Sequence, residues 1–216
     1  MYIKGLIFDF DGTLAELNID FSVISERVRQ TAAQMGYVDP WPDGYLLEAV
    51  QIVSSSLGNG FKNKALDIIQ AAEIRAAEKG ALFPFTLDLL ARLRRKSLGL
   101  AIVSRNCDAA IRTVFPEIKS HCDSFIPRDL AIRTKPHPGH IEQAAKELGL
   151  KTDQTLVIGD HPMDIKSAQA AHAGSVGVAT GRISLAELEQ SGADHVLANA
   201  GELLYLLEKL EFQQDW

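Results

Sequence analysis

Residues 2–14 read Tyr2-Ile3-Lys4-Gly5-Leu6-Ile7-Phe8-Asp9-Phe10-Asp11-Gly12-Thr13-Leu14. The stretch from Tyr2 to Phe8 is short and mostly apolar, and it stops at two aspartates and a glycine. An apolar run without polar alternation suits a strand buried on both faces, as in a parallel sheet. The same punctuation recurs. Leu98 to Val103 (LGLAIV) stops at Ser104, Thr155 to Ile158 (TLVI) at Gly159-Asp160, and Ser175 to Ala179 (SVGVA) at Thr180-Gly181. His195 to Leu197 follows Gly192-Ala193-Asp194, and Asp123 to Ile126 (DSFI) is a weaker example.

Between these runs the apolar spacing turns helical. Thr86 to Lys96 gathers Leu87, Leu89, Leu90 and Leu93 on one side; Gly139 to Leu148 and Met163 to Ala171 are two further helices. Strands alternating with helices predict a doubly wound α/β fold with right-handed crossovers. One stretch breaks the alternation. From Glu16 to Leu82 there are helical patterns and no strand: Phe21 to Met35, Tyr45 to Leu57, and Lys62 to Lys79 after the turn Gly58-Asn59-Gly60. Asp39 to Gly44 reads as a loop with Asp43 as candidate N-cap. The expected division is therefore an α/β core from residues 1–15 and 83–216, with a helical insertion from 16–82.

Composition narrows the function classes. A chain of 216 residues with 46% hydrophobic residues has ample material for a core. A net charge of -6 supplies no field for nucleic acid or an anionic membrane surface. The basic run Arg92-Leu93-Arg94-Arg95-Lys96 reads as a solvated last helical turn. Cys107 and Cys122 lack the spacing of a zinc or redox site and read as free buried thiols. No signal peptide is apparent, and no apolar stretch approaches the ~18 residues of a membrane span. The expectation is a soluble protein of a reducing, cytoplasmic compartment. The tail Glu211 to Trp216 reads as a contact or a frayed end, and oligomeric state is not set by the sequence.

The polar residues fall at the strand ends. Asp9 and Asp11 follow the first run, Ser104 the second, and Asp160 another, with Asp164 four residues on. Open α/β sheets bind ligands outside the carboxyl ends of their strands. Four carboxylates gathered there repel one another and raise each other's pKa, which a bound hard cation relieves. An all-oxygen set favours magnesium over zinc. Lys135, just before Pro136-His137-Pro138, adds a cation. A hydroxyl, an ammonium and a metal around a carboxylate describe a phosphoryl site. Asp9 is then a candidate nucleophile and Asp11 a candidate acid and base. Gly12 permits a tight backbone beside the phosphate.

The run DFDGTL, Ser104 after an apolar strand, Lys135 before a proline and Gly159-Asp160-His161-Pro162-Met163-Asp164 resemble, in order and spacing, the motifs of the haloacid dehalogenase-like hydrolase superfamily. The similarity runs from Tyr2 to about Ala200. It implies a Rossmann-like parallel core with a small helical cap inserted after the first motif, as in the branch of phosphoglycolate phosphatases, β-phosphoglucomutases and phosphonatases. It further implies Asp9 as nucleophile and Mg2+ ligand, and Asp11 as acid and base, giving its backbone carbonyl to the metal. Ser104 and Lys135 would hold phosphoryl oxygens, Asp160 the metal, and Asp164 would support it through water or through Lys135. The second motif departs from the usual Thr-Asn or Ser-Asn, since Arg105 follows Ser104 and Asn106 comes next. The Arg105 amide still serves phosphate, while its side chain stands evenly between substrate contact and structural ion pair.

The bland readings are a helix cap for Asp164, passive loop roles for His137 and His161, and solvated surface for Arg27, Asn59, Lys62 and Lys64. The expected activity is Mg-dependent hydrolysis of a small phosphorylated metabolite. A sugar-phosphate mutase, a phosphonatase using Lys62 or Lys64, and an inactive phospho-ligand sensor are the alternatives. Asp11 argues against dehalogenation, which dispenses with that second acid. A Ser104–Lys135 serine hydrolase would leave the four aspartates unexplained and has no nucleophile elbow.

Overall fold

In the computed structural model, which describes residues 3–212, the opening run forms strand β1 (Gly5–Phe8) at the middle of a six-stranded parallel sheet. Its neighbours are β4 (Gly99–Val103), with Gly5 opposite Gly99, and β6 (Thr155–Gly159), with Gly5 opposite Thr155. Beyond β4 lies β5 (Ser124–Ile126); beyond β6 lie β7 (Gly174–Val178) and β8 (His195–Leu197). The run Asp123 to Ile126, weak in sequence, is thus a paired edge strand. Tyr2 and the tail from residue 213 onward, with the expectation attached to them, lie outside the described residues.

The period of two in a strand sends Leu6 and Phe8 into one apolar layer and Ile7 into another. All three are fully buried, and each contributes about 1.5–3 kcal/mol by leaving water. On the Ile7 face, α7 (Gly139–Glu147) supplies Ile141, Ala144 and Ala145, while α8 (Pro162–Ala170) supplies Ala168. On the other face α4 (Thr86–Arg95) supplies Leu89, Leu90 and Leu93, and Leu87 is exposed. The basic residues Arg92, Arg94 and Arg95 fill its last turn. Four helices escape the sequence reading: α5 (Asp108–Val114), α6 (Ile118–His121), α9 (Leu185–Gln190) and α10 (Leu203–Phe212). Cys107 and Cys122 are free and buried, as expected.

Three helices interrupt the sheet's connectivity: α1 (Phe21–Gln34), α2 (Leu46–Leu57) and α3 (Asn59–Ala77). The chain enters and leaves them through a small antiparallel ribbon, β2 (Ala15–Glu16) against β3 (Ala81–Leu82), too short to register as a pattern. Asp20 caps α1, its Oδ1 accepting from the amides of Ser22 (3.1 Å) and Val23 (3.2 Å). Asp43 does not cap α2; Tyr45 takes the N-cap position without a side-chain bond. The turn at 58–60 is also narrower than the sequence suggests. Gly58 alone, at φ 77°, separates α2 from α3, and Asn59 and Gly60 are already helical. The stripe Phe61, Ala65, Ile69, Glu73, Ala77 lies buried along α3, so a carboxylate occupies an otherwise apolar row.

Candidate active site

Parallel strands put all their carboxyl ends on one edge, so Asp9 after β1, Ser104 after β4 and Asp160 after β6 rise at neighbouring positions. The carbonyl of buried Phe10 accepts from the amides of Thr13 (3.3 Å), Leu14 (2.9 Å) and Ala15 (3.0 Å), which folds 9–15 into a tight turn. Gly12 completes it at φ 84°. A Cβ at Gly12 would fall on the Asp160 carboxylate, and so would one at Gly181. The two glycines form a cradle around that side chain. Thr180 Oγ1 fastens it by donating to the Gly12 carbonyl at 2.5 Å.

Lys135 is almost wholly buried, and its Nζ lies 2.8 Å from Asp9 Oδ1 and 2.5 Å from Asp164 Oδ1. The backbone under it is held by His140, whose Nδ1 accepts from the Lys135 amide (3.4 Å) and whose Nε2 meets the Ile126 carbonyl (3.1 Å). Asp164 serves twice. Its Oδ2 accepts from the His161 amide at 3.1 Å in a capping box at the start of α8, while its Oδ1 faces Lys135.

Oxygens of Asp9, Asp160 and Asp164 come within 4.8 Å of one another. Burial raises the Asp9 pKa; Lys135 opposes the shift and Asp164 adds to it. Burial, then the charges of Asp9, Asp164 and Asp11, push Asp160 up to about 9. Burial works against the Lys135 charge, yet Asp164 and Asp9 outweigh it and raise its pKa. One ammonium does not balance this group, and an all-oxygen donor set with surplus negative charge is what a hard divalent cation fits. The Asp11 carboxylate stands outside the trio. Its Oδ1 accepts from the Leu17 amide at 2.8 Å, and burial lifts its pKa to about 6.

Ser104 is buried, and its Oγ donates to Asn106 Oδ1 (3.0 Å) and accepts from the Asn106 amide (3.2 Å). It does not line the cavity, whereas Arg105 and Asn106 do. Arg105 is a structural ion pair in this conformation. Its two terminal nitrogens lie 2.7 Å from the two oxygens of Glu48 on α2, and its Nη1 also donates to the Lys135 carbonyl. The guanidinium sits 5.4 Å from the centre of the Tyr45 ring, and that ring meets His161 edge-on at 5.6 Å. A second tie runs from Glu73 on α3 to Arg128, at 2.5 and 2.9 Å. Glu73 also accepts from the Cys107 amide at 3.0 Å, while Arg128 donates to the Arg105 carbonyl at 2.8 Å.

Asp9, Asp11, Arg105, Asn106, Lys135 and Asp160 line a cavity of about 500 Å³. Arg27, Asn59, Lys62, Lys64 and His137 are not among its lining residues, while His161 is. Sequence reasoning missed Tyr45, Glu48, Glu73, Arg128, His140, Thr180 and Arg182. Only Glu73 left a readable signal, as a charge within a helical apolar row.

The family model that matches the chain defines a hydrolase. More narrowly, the chain belongs to the haloacid dehalogenase-like hydrolases, whose family model matches residues 6–178. It is 26% identical to a phosphoglycolate phosphatase of Pectobacterium atrosepticum, over 95% of this chain and 92% of that one. It is 22% identical to the pyrophosphatase PpaX of Oceanobacillus iheyensis, over 96% and 98% of the two chains. A hydrolase from Pseudomonas syringae has the same fold, with a TM-score of 0.73 at 22% identity over 95% of this chain and 98% of that one. No described helix is long and apolar enough to cross a membrane.

Proposed function

We propose that the chain is a magnesium-dependent phosphatase that hydrolyses a small phosphate monoester through an aspartyl-phosphate on Asp9. The observation that carries the reading is Asp9 at the end of the central strand, held at 2.8 Å by a buried lysine and faced by further carboxylates. Asp9 and Asp160, with Asp164 in reach, would hold the ion, and the Asp11 backbone carbonyl would join them. When bound, Mg2+ would neutralise the carboxylates and the phosphoryl oxygens.

The chain's own residues carry the steps. An Asp9 carboxylate oxygen attacks phosphorus while the bond to the alcohol oxygen breaks, and the Asp11 carboxyl gives that oxygen its proton. Water then attacks the phosphorus of the acyl phosphate. Asp11, now ionised, takes the water's proton, and Asp9 leaves as carboxylate. A pKa of about 6 equips Asp11 for both directions near neutral pH. Lys135 orients Asp9 and balances the phosphoryl charge. The helices of residues 16–82 act as the cap that closes the alcohol side of the cavity.

A phosphonatase needs a cavity lysine from the helical segment, and neither Lys62 nor Lys64 lines it. A mutase would return the phosphate to its product, so free phosphate from a hexose 1-phosphate separates the two. The test of the proposal is Asp9→Asn assayed on an aryl phosphate with Mg2+. Turnover should fall at least about 1000-fold with the circular dichroism spectrum unchanged, as expected for removal of a covalent nucleophile. EDTA should silence the wild type. Retained turnover in either experiment overturns the mechanism.

A further inference from the structure

The cavity is far larger than a phosphate requires, and much of its lining is apolar, with Ile19, Phe21, Leu46, Leu47, Ile69 and Ile183 among the lining residues. Among the described residues, no lysine or arginine of the helical segment lines it. The lining cations come from the sheet side, and two of them, Lys135 and Arg105, are ion-paired with carboxylates. Lys135 is held between Asp9 and Asp164. Arg182 donates to the Ile19 carbonyl at 2.5 Å and stands near enough to Asp11 and Asp20 to lower the pKa of both. Arg105, with a side chain only 15% exposed, has its fork filled by Glu48.

A carboxylate or second phosphate on the leaving group would therefore lose its water against apolar carbon, with neither Lys135 nor Arg105 open to meet it. Glu16 also lines the space. An uncharged alcohol carries no such cost, and its carbon gains by burial. Selectivity is a difference of such terms, and an occupied arginine acts as a rejecting element.

We infer that this cavity selects phosphate monoesters of uncharged alcohols with an apolar face, and that Glu48 sets the selection by occupying Arg105. The inference rests on the phosphatase reading above. It separates this chain from relatives whose names denote phosphoglycolate and pyrophosphate, both of which carry a second anionic group.

The experiment compares kcat/KM, with Mg2+, for three substrates: isobutyl phosphate, phosphoglycolate and pyrophosphate. Isobutyl phosphate replaces the two carboxylate oxygens of phosphoglycolate by methyl groups. The wild type should favour it at least about tenfold over both anionic substrates. Glu48→Gln frees the guanidinium, so the preference over phosphoglycolate should shrink at least about threefold, chiefly through a lower KM for phosphoglycolate. Glu48→Gln with Arg105→Gln should restore the preference, which loss of a merely structural contact would not do. A wild type that prefers either anionic substrate overturns the inference while leaving the phosphatase intact. An unchanged ratio in folded Glu48→Gln overturns the role of Glu48, and the wild-type ratio still decides the selectivity if that variant does not fold. No Mg-dependent phosphate release from any of these or from an aryl phosphate overturns the phosphatase reading, and the inference with it.

Discussion

His140 should make this protein sensitive to mild acid in a way that one substitution removes. The side chain is fully buried on α7, between the Ile126 carbonyl and the Lys135 amide. Burial, reinforced by the Lys135 ammonium, holds its pKa down to about 3, against 6.5 for an ordinary histidine. Between those values the unfolded chain binds a proton that the native protein refuses. Stability is therefore fully present above pH 6.5 and falls as the pH drops below it, by about 1.4 kcal/mol per unit. At pH 5 the loss relative to pH 8 is about 2 kcal/mol. For a chain of this length the unfolding entropy is about 0.45 kcal/mol/K, so the melting temperature should fall by about 4–5 °C from this group alone. The raised carboxyls of Asp11 and Asp160 slope the opposite way, because the native state holds protons that the unfolded chain releases. The readout is accordingly the difference between wild type and His140→Gln, melted by circular dichroism at steps from pH 8 to pH 5. The variant starts from a lower melting temperature but should lose about 4–5 °C less over that range. Parallel curves would refute the argument.

Glu73→Gln leaves the Arg128 charge buried without its partner and should cost about 3–5 kcal/mol in chemical unfolding, whereas Glu73→Met with Arg128→Met should recover most of it; equal losses in both would contradict the pairing. Gly181→Ala puts a methyl where the Asp160 carboxylate lies, so the Mg2+ concentration for half-maximal activity should rise at least about tenfold at an almost unchanged melting temperature; an unaltered Mg2+ requirement would count against Asp160 as a metal-holding residue.

What the sequence disclosed and what it hid divide along physical lines. Leu6, Ile7 and Phe8 announce themselves because a doubly buried strand has no polar alternation, and Asp9 and Asp160 because such strands end abruptly. Lys135 stands out as a cation just before a proline and Asp164 as a second carboxylate four residues past Asp160, and the family likeness adds to both. The ribbon of β2 and β3 is two residues a side and has no period to detect. Asp43 misled because a helix N-terminus accepts several polar neighbours as caps, and a tyrosine without a cap bond took the place. Arg105 stood evenly between two roles because its partner, Glu48, is 57 residues away on a helix whose packing no local pattern encodes. The bond between the Ser104 hydroxyl and Asn106, two residues on, is a local alternative that short polar side chains offer and that a motif does not display.

The position of β1 bears on how the molecule is made. Gly5 pairs with Gly99, 94 residues on, and with Thr155, 150 residues on. At about 5–20 residues per second of synthesis, the apolar Gly-Leu-Ile-Phe strand waits about 5–20 s for its first partner and about 8–30 s for its second. During that interval α1, α2 and α3 emerge, and their contacts are close in sequence. The helical segment can condense while the central strand is still unpaired. Asp9 reaches its neighbours only when β6 docks, so the chemistry of the protein is assembled late in its birth.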